Sequence, residues 1–338
     1  MADLVYPTNA ELQAVEQDLI PPLQKNRVIF DIMPTENVDA AIVMWEQEDN
    51  YTGVQQVRGY GGKPGRVNNV GVKRWQVQPG VYGEYRMIDE FELTMRRGYG
   101  TFATPIDISD LVLKAQTQLL QREIDLQELI GWTLLTTGTY SVLNGEGVVQ
   151  ATDTFSLQTF TSTYSWSNLS LSTPLADFRA AKLLARGHSV DFGAGAKFYA
   201  NQTTVNNLLM NNNSTDLGGK KSLFGASFLD LNMVNQVMLM NDLPQIVVMD
   251  RGYFPDTGSF TLFVPNNTGV LVGRRESGVP VATYCMTRNA NNPNMGPGPY
   301  VKVVDNGENA VPREIVVHRG HNGAPKIPFP GSIVSFSC

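Results

Sequence analysis

The chain has 338 residues, 42% of them hydrophobic and only 17% charged, which is enough to bury a core in one elaborated domain or two ordinary ones and excludes a peptide-like or fibrous protein. Twenty-six Lys and Arg against 32 Asp and Glu give a net charge of -6, which argues against affinity built on neutralising many phosphates. Residues 1–22 carry no basic stretch followed by an apolar one, and no apolar run approaches the roughly 20 residues that cross a bilayer, so neither secretion nor a membrane span is expected.

In chain order, residues 9–20 place Leu12, Val15, Leu19 and Ile20 about one turn apart, predicting a short helical arm that Pro21-Pro22 ends. Glycine is dense from Thr52 to Gly83, around short strand-like pieces such as 70–77, and this stretch cannot build a core alone. Its cations Arg58, Lys63, Arg66, Lys73 and Arg74 have no acid among them; they read either as a solvated hairpin or as partners for carboxylates on a neighbouring chain. Alternation over Met87 to Met95 predicts a strand with Glu90 and Glu92 on its exposed face.

After Pro105 the period changes. Asp107 or Ser109 can cap a helix of about 30 residues, roughly 45 Å long, with Ile108, Leu111, Val112, Ala115, Leu119, Leu126, Leu129, Ile130 and Leu134 on its apolar side. Its polar side, with Gln116, Gln121, Arg122, Asp125 and Glu128, should meet water or another subunit. Residues 139–172 suggest extended chain and hairpins. Thr173-Pro174 opens a helix that Gly187 stops, with Leu175, Phe178, Leu183 and Leu184 inward. A strand at 196–200 leads to a helix capped by Asn201 and running through Met210, and a polar loop follows at 211–225. Ser227 can cap a helix over 228–241. Strands are expected at 245–250, 259–264, 269–273 and 281–286 and, after a polar loop at 289–299, at 300–304, 313–319 and 332–337.

Catalytic chemistry is sparse. His188 follows a helix stop, where a cation complements the dipole; His318 lies in a strand and His321 after it, and neither has zinc-ligand company. Gly59-Tyr60-Gly61-Gly62-Lys63 lacks the spacing and the following helix of a phosphate loop. On an alternating strand Asp89 and Glu90 point apart, so they cannot share a substrate. Met233, Met238 and Met240 read as core filling. Cys285 and Cys338 read as plain reduced thiols.

The run Val234 to Val237 and Asn241 to Val248, then Tyr253, Asp256, Gly258 and Phe263 to Gly273, resembles tailed-phage major capsid proteins of the lambda type. In that family a helix ending in Leu-Pro, here Leu243-Pro244, leads into an apolar strand and then a hairpin turned by Pro-Asn, here Pro265-Asn266. Pro312 to His318 and Phe329 to Phe336 look like the family's terminal strands. The likeness is loose over residues 85–338 and most specific over 228–273.

The resemblance implies an α+β Hong Kong 97-like capsid fold. Its parts would be an N-terminal arm (1–49), an extended E-loop hairpin (50–86), a peripheral domain with a long spine helix (87–172), an axial α/β domain (173–283) and return strands of the peripheral domain (284–338). It implies a major head protein that forms hexamers and pentamers of an icosahedral shell around double-stranded DNA, assembled in the host cytoplasm, with no enzymatic activity, cofactor or metal. An encapsulin-like compartment shell is the alternative on the same fold, and a β-rich hydrolase the alternative from another class. Implied partners are copies of itself, a separate scaffolding protein, a portal protein, possible decoration protein, and packaged DNA held without sequence reading. A Lys-to-Asn crosslink, used by some relatives, could start at Lys63 or Lys73. Candidate inter-subunit contacts are Arg58, Lys63, Arg66, Lys73, Arg74, Glu90, Glu92, Arg122, Asp125 and Glu128. On this view residues 1–50 and 52–83 are completed by adjoining copies.

Overall fold

The computed structural model describes residues 9–48, 54–66, 71–95, 108–144, 146–211, 230–255, 258–275, 279–307 and 310–338. It opens with α1 (Asn9–Gln24), α2 (Ile29–Ile32), β1 (Thr35–Asn37), β2 (Val43–Glu48), β3 (Val72–Val77), β4 (Gly80–Ile88) and α3 (Glu90–Met95). The long α4 (Ile108–Thr137) follows, then β5 (Thr139–Leu143), β6 (Val149–Thr154) and β7 (Gln158–Thr161). Next come α5 (Pro174–Lys182), β8 (Lys197–Ala200), α6 (Gln202–Met210), α7 (Leu231–Met240), β9 (Gln245–Val248), β10 (Gly252–Tyr253), β11 (Thr261–Leu262) and β12 (Thr268–Val272). The chain returns through β13 (Thr283–Met286), β14 (Tyr300–Asp305), β15 (Ile315–Lys326) and β16 (Ile333–Ser337).

Ten of the described strands build two five-stranded sheets, and the other six pair as β2-β3, β5-β6 and β10-β11. In the first, β15 is the long central strand: β4 lies along one side, while β14 and β13 share the other and β1 extends it beyond β13. The second has the order β7-β16-β12-β8-β9. Its core is an aromatic nest of Trp166, Phe178, Phe198 and Phe336, all fully buried, with ring centroids 4.9–6.0 Å apart. The α4 helix crosses both regions. Its first turns pack Leu111, Val112, Ala115 and Leu119 against Val301, Ile315 and Val317, and its last turns bring Trp132, Leu134 and Leu135 into the main core.

Close packing makes the end of α4 sensitive to volume. A Cβ at Gly131 would sit 2.6 Å from Ile29 Cγ1 and 2.8 Å from Met33 Cε. Gly131→Ala should therefore lower unfolding free energy by about 1–3 kcal/mol, despite the better helix propensity of alanine, and urea titration would read the loss.

Several expectations are corrected. Helix α1 runs through Pro21 and Pro22, and the turn after them closes by the Lys25 N–H donating to Pro21 O at 2.9 Å. Residues 9–48 pack on their own chain: Leu12, Ile29, Met33, Val43 and Trp45 are buried in its cores, and Gln116 Nε2 donates to Leu12 O at 2.9 Å. The expected strand 87–95 ends at Ile88. There the Asp89 carboxylate accepts the Glu92 N–H at 2.8 Å, an N-cap that turns the chain into α3, so Glu90 and Glu92 lie in a first helical turn and not on a strand face.

Strand β3 pairs with β2, so the hairpin spans Val43 to Val77, while β4 belongs to the first sheet. The late strands also divide, since β16 enters the second sheet, where Val334 and Phe336 complete the aromatic core, and β13 joins the first. His321 lies inside β15. Leu183, Met233 and Met240 are exposed, leaving Met238 as the core-filling member of its group, and Thr173 makes no side-chain cap. Ser109 is inside α4, whereas Asp107, Ser227 and all but Asn211 of loop 211–225 lie outside the described residues. Asn201 caps α6 as expected, accepting the Thr204 N–H at 2.8 Å.

Candidate functional site

The hairpin stands on an aromatic pile. Trp45 and Trp75 sit opposite each other in register and stack at 6.1 Å, and Phe155 stacks on Trp45 at 6.1 Å and on Trp75 at 5.8 Å. Around it Arg74 pairs with Glu46 at 2.7 Å, Trp75 Nε1 donates to Gln47 at 3.0 Å, and Lys73 Nζ lies 4.3 Å from the Trp75 ring. Lys73 and Arg74 are thus engaged at the base of their own hairpin.

Beyond the base, every residue of 54–66 is exposed. Val54, Val57 and Tyr60 are 97%, 100% and 112% exposed, and the loop turns at Gly61, whose φ of +81° suits glycine. Arg58, Lys63 and Arg66 make no ion pair among the described residues. Three apolar side chains and three cations held out in water form a surface that its own subunit leaves uncovered.

The remaining candidates are tied down within the chain. Arg122 pairs with Glu84 through two hydrogen bonds of 2.5 and 2.7 Å. Asp125 takes Arg27 at 2.5 Å, and Glu128, fully buried, takes Arg27 at 2.9 Å and Arg251 at 3.4 Å. Burial pushes the Glu128 carboxyl up against the pull of both arginines. Glu92 pairs with Arg86 at 3.2 Å, while Glu90 is exposed at the start of α3. The polar side of α4 that was expected to reach water or a neighbour is therefore covered in part by the arm: Gln116 and Glu128 are buried.

A second buried network lies at the middle of α4. Glu123 receives Arg319 Nε on one oxygen, and His321 Nδ1 lies 3.0 Å from the other. His321 Nε2 is 3.0 Å from the Tyr284 hydroxyl. Burial opposes ionisation of Glu123, but Arg319 and His321 outweigh it and hold the carboxyl at about 2. The network floors an open groove of about 760 Å³ between α4, β4 and β10, rimmed by exposed Val81, Leu143 and Phe254. Its acids are matched by arginines of the same chain, and its histidine is held between a carboxylate and a phenol. No nucleophile with a free base stands in it, and among the described residues no group of three His, Cys, Asp or Glu could hold a metal.

Sequence reasoning missed Arg27, Glu84, Glu123, Arg251 and Arg319. A signal existed for Glu123 alone, which falls one turn after Leu119 in the apolar repeat of α4.

The sequence model of the family described as phage major capsid protein E matches residues 11–316, nearly the whole chain. The chain belongs to the phage major capsid protein E family. No curated relative matches it by sequence. Among solved structures, a protein of an Escherichia coli CFT073 prophage, assigned as its capsid protein, is similar with a TM-score of 0.58 at 13% identity, covering 95% of this chain and 98% of the other. A phage-related protein of Bordetella bronchiseptica RB50 gives 0.54 at 11% identity over 95% and 96% of the two chains. The capsid of a native GTA particle gives 0.50 at 12% identity over 91% and 88%.

The two sheets, the long α4 and the projecting hairpin are the Hong Kong 97-like capsid fold of this phage major capsid protein. Its role is structural: it is a shell protein of the virion, a reading that places the encapsulin-like alternative second. Among the described residues no helix is long and apolar enough to cross a membrane.

Proposed function

We propose that this capsid protein assembles into hexamers and pentamers that close an icosahedral shell around double-stranded DNA, and that loop 54–66 is the segment each copy lays on its neighbour. The observation that carries the reading is the loop itself, three apolar side chains and three cations with no cover from their own subunit. Burying them on adjoining copies converts intermolecular area into cohesion, and closure multiplies a modest contact over every subunit.

The net charge of -6 suits a container, since walls that gripped DNA tightly would impede packing and release. Contact with DNA is then independent of sequence. A separate scaffolding protein guides assembly, a portal protein occupies one vertex, and a decoration protein is a further possible partner. Catalysis forms no part of the role. Electron microscopy of the purified protein with its scaffolding protein should show closed particles of megadalton mass; monomers at high concentration under those conditions would overturn the reading.

A further inference from the structure

The buried side of α4 repeats in four-residue steps. Leu111 and Val112, Ala115 and Gln116, Leu119 and Leu120, Glu123 and Ile124, Gln127 and Glu128, and Gly131 and Trp132 follow one another as buried pairs. A slide of four residues, about 6 Å, with a rotation of about 40° about the helix axis, would lay each pair where the previous one sat. Apart from Gln116, whose amide donates to Leu12 O, packing in the first half discriminates poorly against such a slide, because small and medium aliphatic side chains replace one another. The last turns are keyed differently: Gly131 admits Ile29 and Met33, and Trp132 fills its own slot.

Between these halves the helix is held by charge. Glu123, Arg319 and His321 are all nine-tenths or more buried, and Tyr284 closes the far side of the histidine. In a slipped seating Leu119 or Gln127 would face Arg319 and His321. In one direction Glu123 would also move toward the apolar wall of Val301, Ile315 and Val317. Two buried charges would then stand unpaired, a far larger penalty than an imperfect leucine contact. Replacing a whole buried ionic cluster by apolar residues of similar volume is often neutral or stabilising, so net stability does not explain such a cluster.

We propose that the contact of Glu123 with Arg319 and His321 is a register clamp, which selects one seating of α4 on β15 and so gives every subunit the same shape for shell closure. The inference rests on the shell-building role. A shell made of many copies needs uniform subunits more than it needs very stable ones.

The test is the triple variant Glu123→Leu, Arg319→Met, His321→Phe. Its unassembled subunit should melt at or above the wild-type midpoint, and amide exchange over 112–124 should be faster. Its assembly products should be mixed in size or unclosed, with a several-fold loss of uniform shells. Uniform shells in wild-type yield would overturn the clamp while leaving the shell role intact. A folded triple variant melting well below wild type would also overturn it, because the cluster would then be a stability element. Should the triple variant not fold, Glu123→Met, Arg319→Leu, His321→Leu repeats the measurement with another apolar filling, and failure of both to fold counts against the clamp. Absence of particles from the wild-type protein would instead defeat the shell reading.

Discussion

Replacing residues 54–66 with a short Gly-Ser linker is expected to leave a folded subunit that no longer closes shells. Thermal melting of the unassembled subunit should be nearly unchanged, because no residue of the loop is buried and the aromatic pile at Trp45, Trp75 and Phe155 stays in place. Assembly should suffer severely. Seating Val54, Val57 and Tyr60 on a neighbour contributes about 1.5–3 kcal/mol for each side chain, or roughly 5–9 kcal/mol per contact, before the ordering of the loop is subtracted. Half of the lower figure is already a factor of about 60 at each contact, and a closed shell repeats the contact in every copy. Sedimentation should find the variant at the size of subunits or small oligomers. Val57→Asp with Tyr60→Asp should reproduce most of the defect without shortening the chain. Intact particles from the deletion would mean that the loop is a solvated ornament and that cohesion lies elsewhere.

The same contrast between local and distant information decides what could be read from the sequence. The long α4 was legible because its apolar residues recur every three or four positions, and α6 because Asn201 is a strong cap at a strand exit. The run from Met87 to Met95 misled: the strand ends at Ile88, which is buried while Met87 is exposed, the reverse of the faces that alternation assigned, and the capping carboxylate of Asp89 then turns the chain into a helix. Proline at 21 and 22 suggested a stop, but α1 continues through both to Gln24. The partners of β16 were not legible, because nothing local states that residues 333–337 lie between β7 and β12. The ionic contacts were hidden for the same reason: Arg319 is 196 positions from Glu123 and Arg27 is 101 from Glu128. Of the proposed assembly surface, the cationic, glycine-rich loop was visible, whereas the engagement of Arg122, Asp125 and Glu128 within their own chain was not.

Arg319→Ala is expected to be among the most damaging single changes in the molecule. Removing one partner of a buried pair leaves Glu123 charged, desolvated and attended only by His321 and the Gln127 amide, which donates to it at 3.4 Å, at a cost of about 3–5 kcal/mol. Acid should act on the same contact from the other side. The Glu123 carboxyl lies at about 2 in the folded protein against an ordinary 4.5, so it is depressed, and its stabilising contribution is fully present above 4.5. As pH falls through that value the unfolded chain takes up its proton first, and stability declines by about 1.4 kcal/mol per pH unit until about 2, some 3 kcal/mol in all. Other carboxylates titrate in this range as well, so the informative quantity is the difference between wild type and variant. Urea unfolding of both from pH 7 to 2 should show a large gap at neutral pH that narrows steadily below 4.5, since protonation removes the charge that Arg319 was compensating. A gap of constant width would mean that Arg319 acts through packing alone and that Glu123 is not held ionised by it.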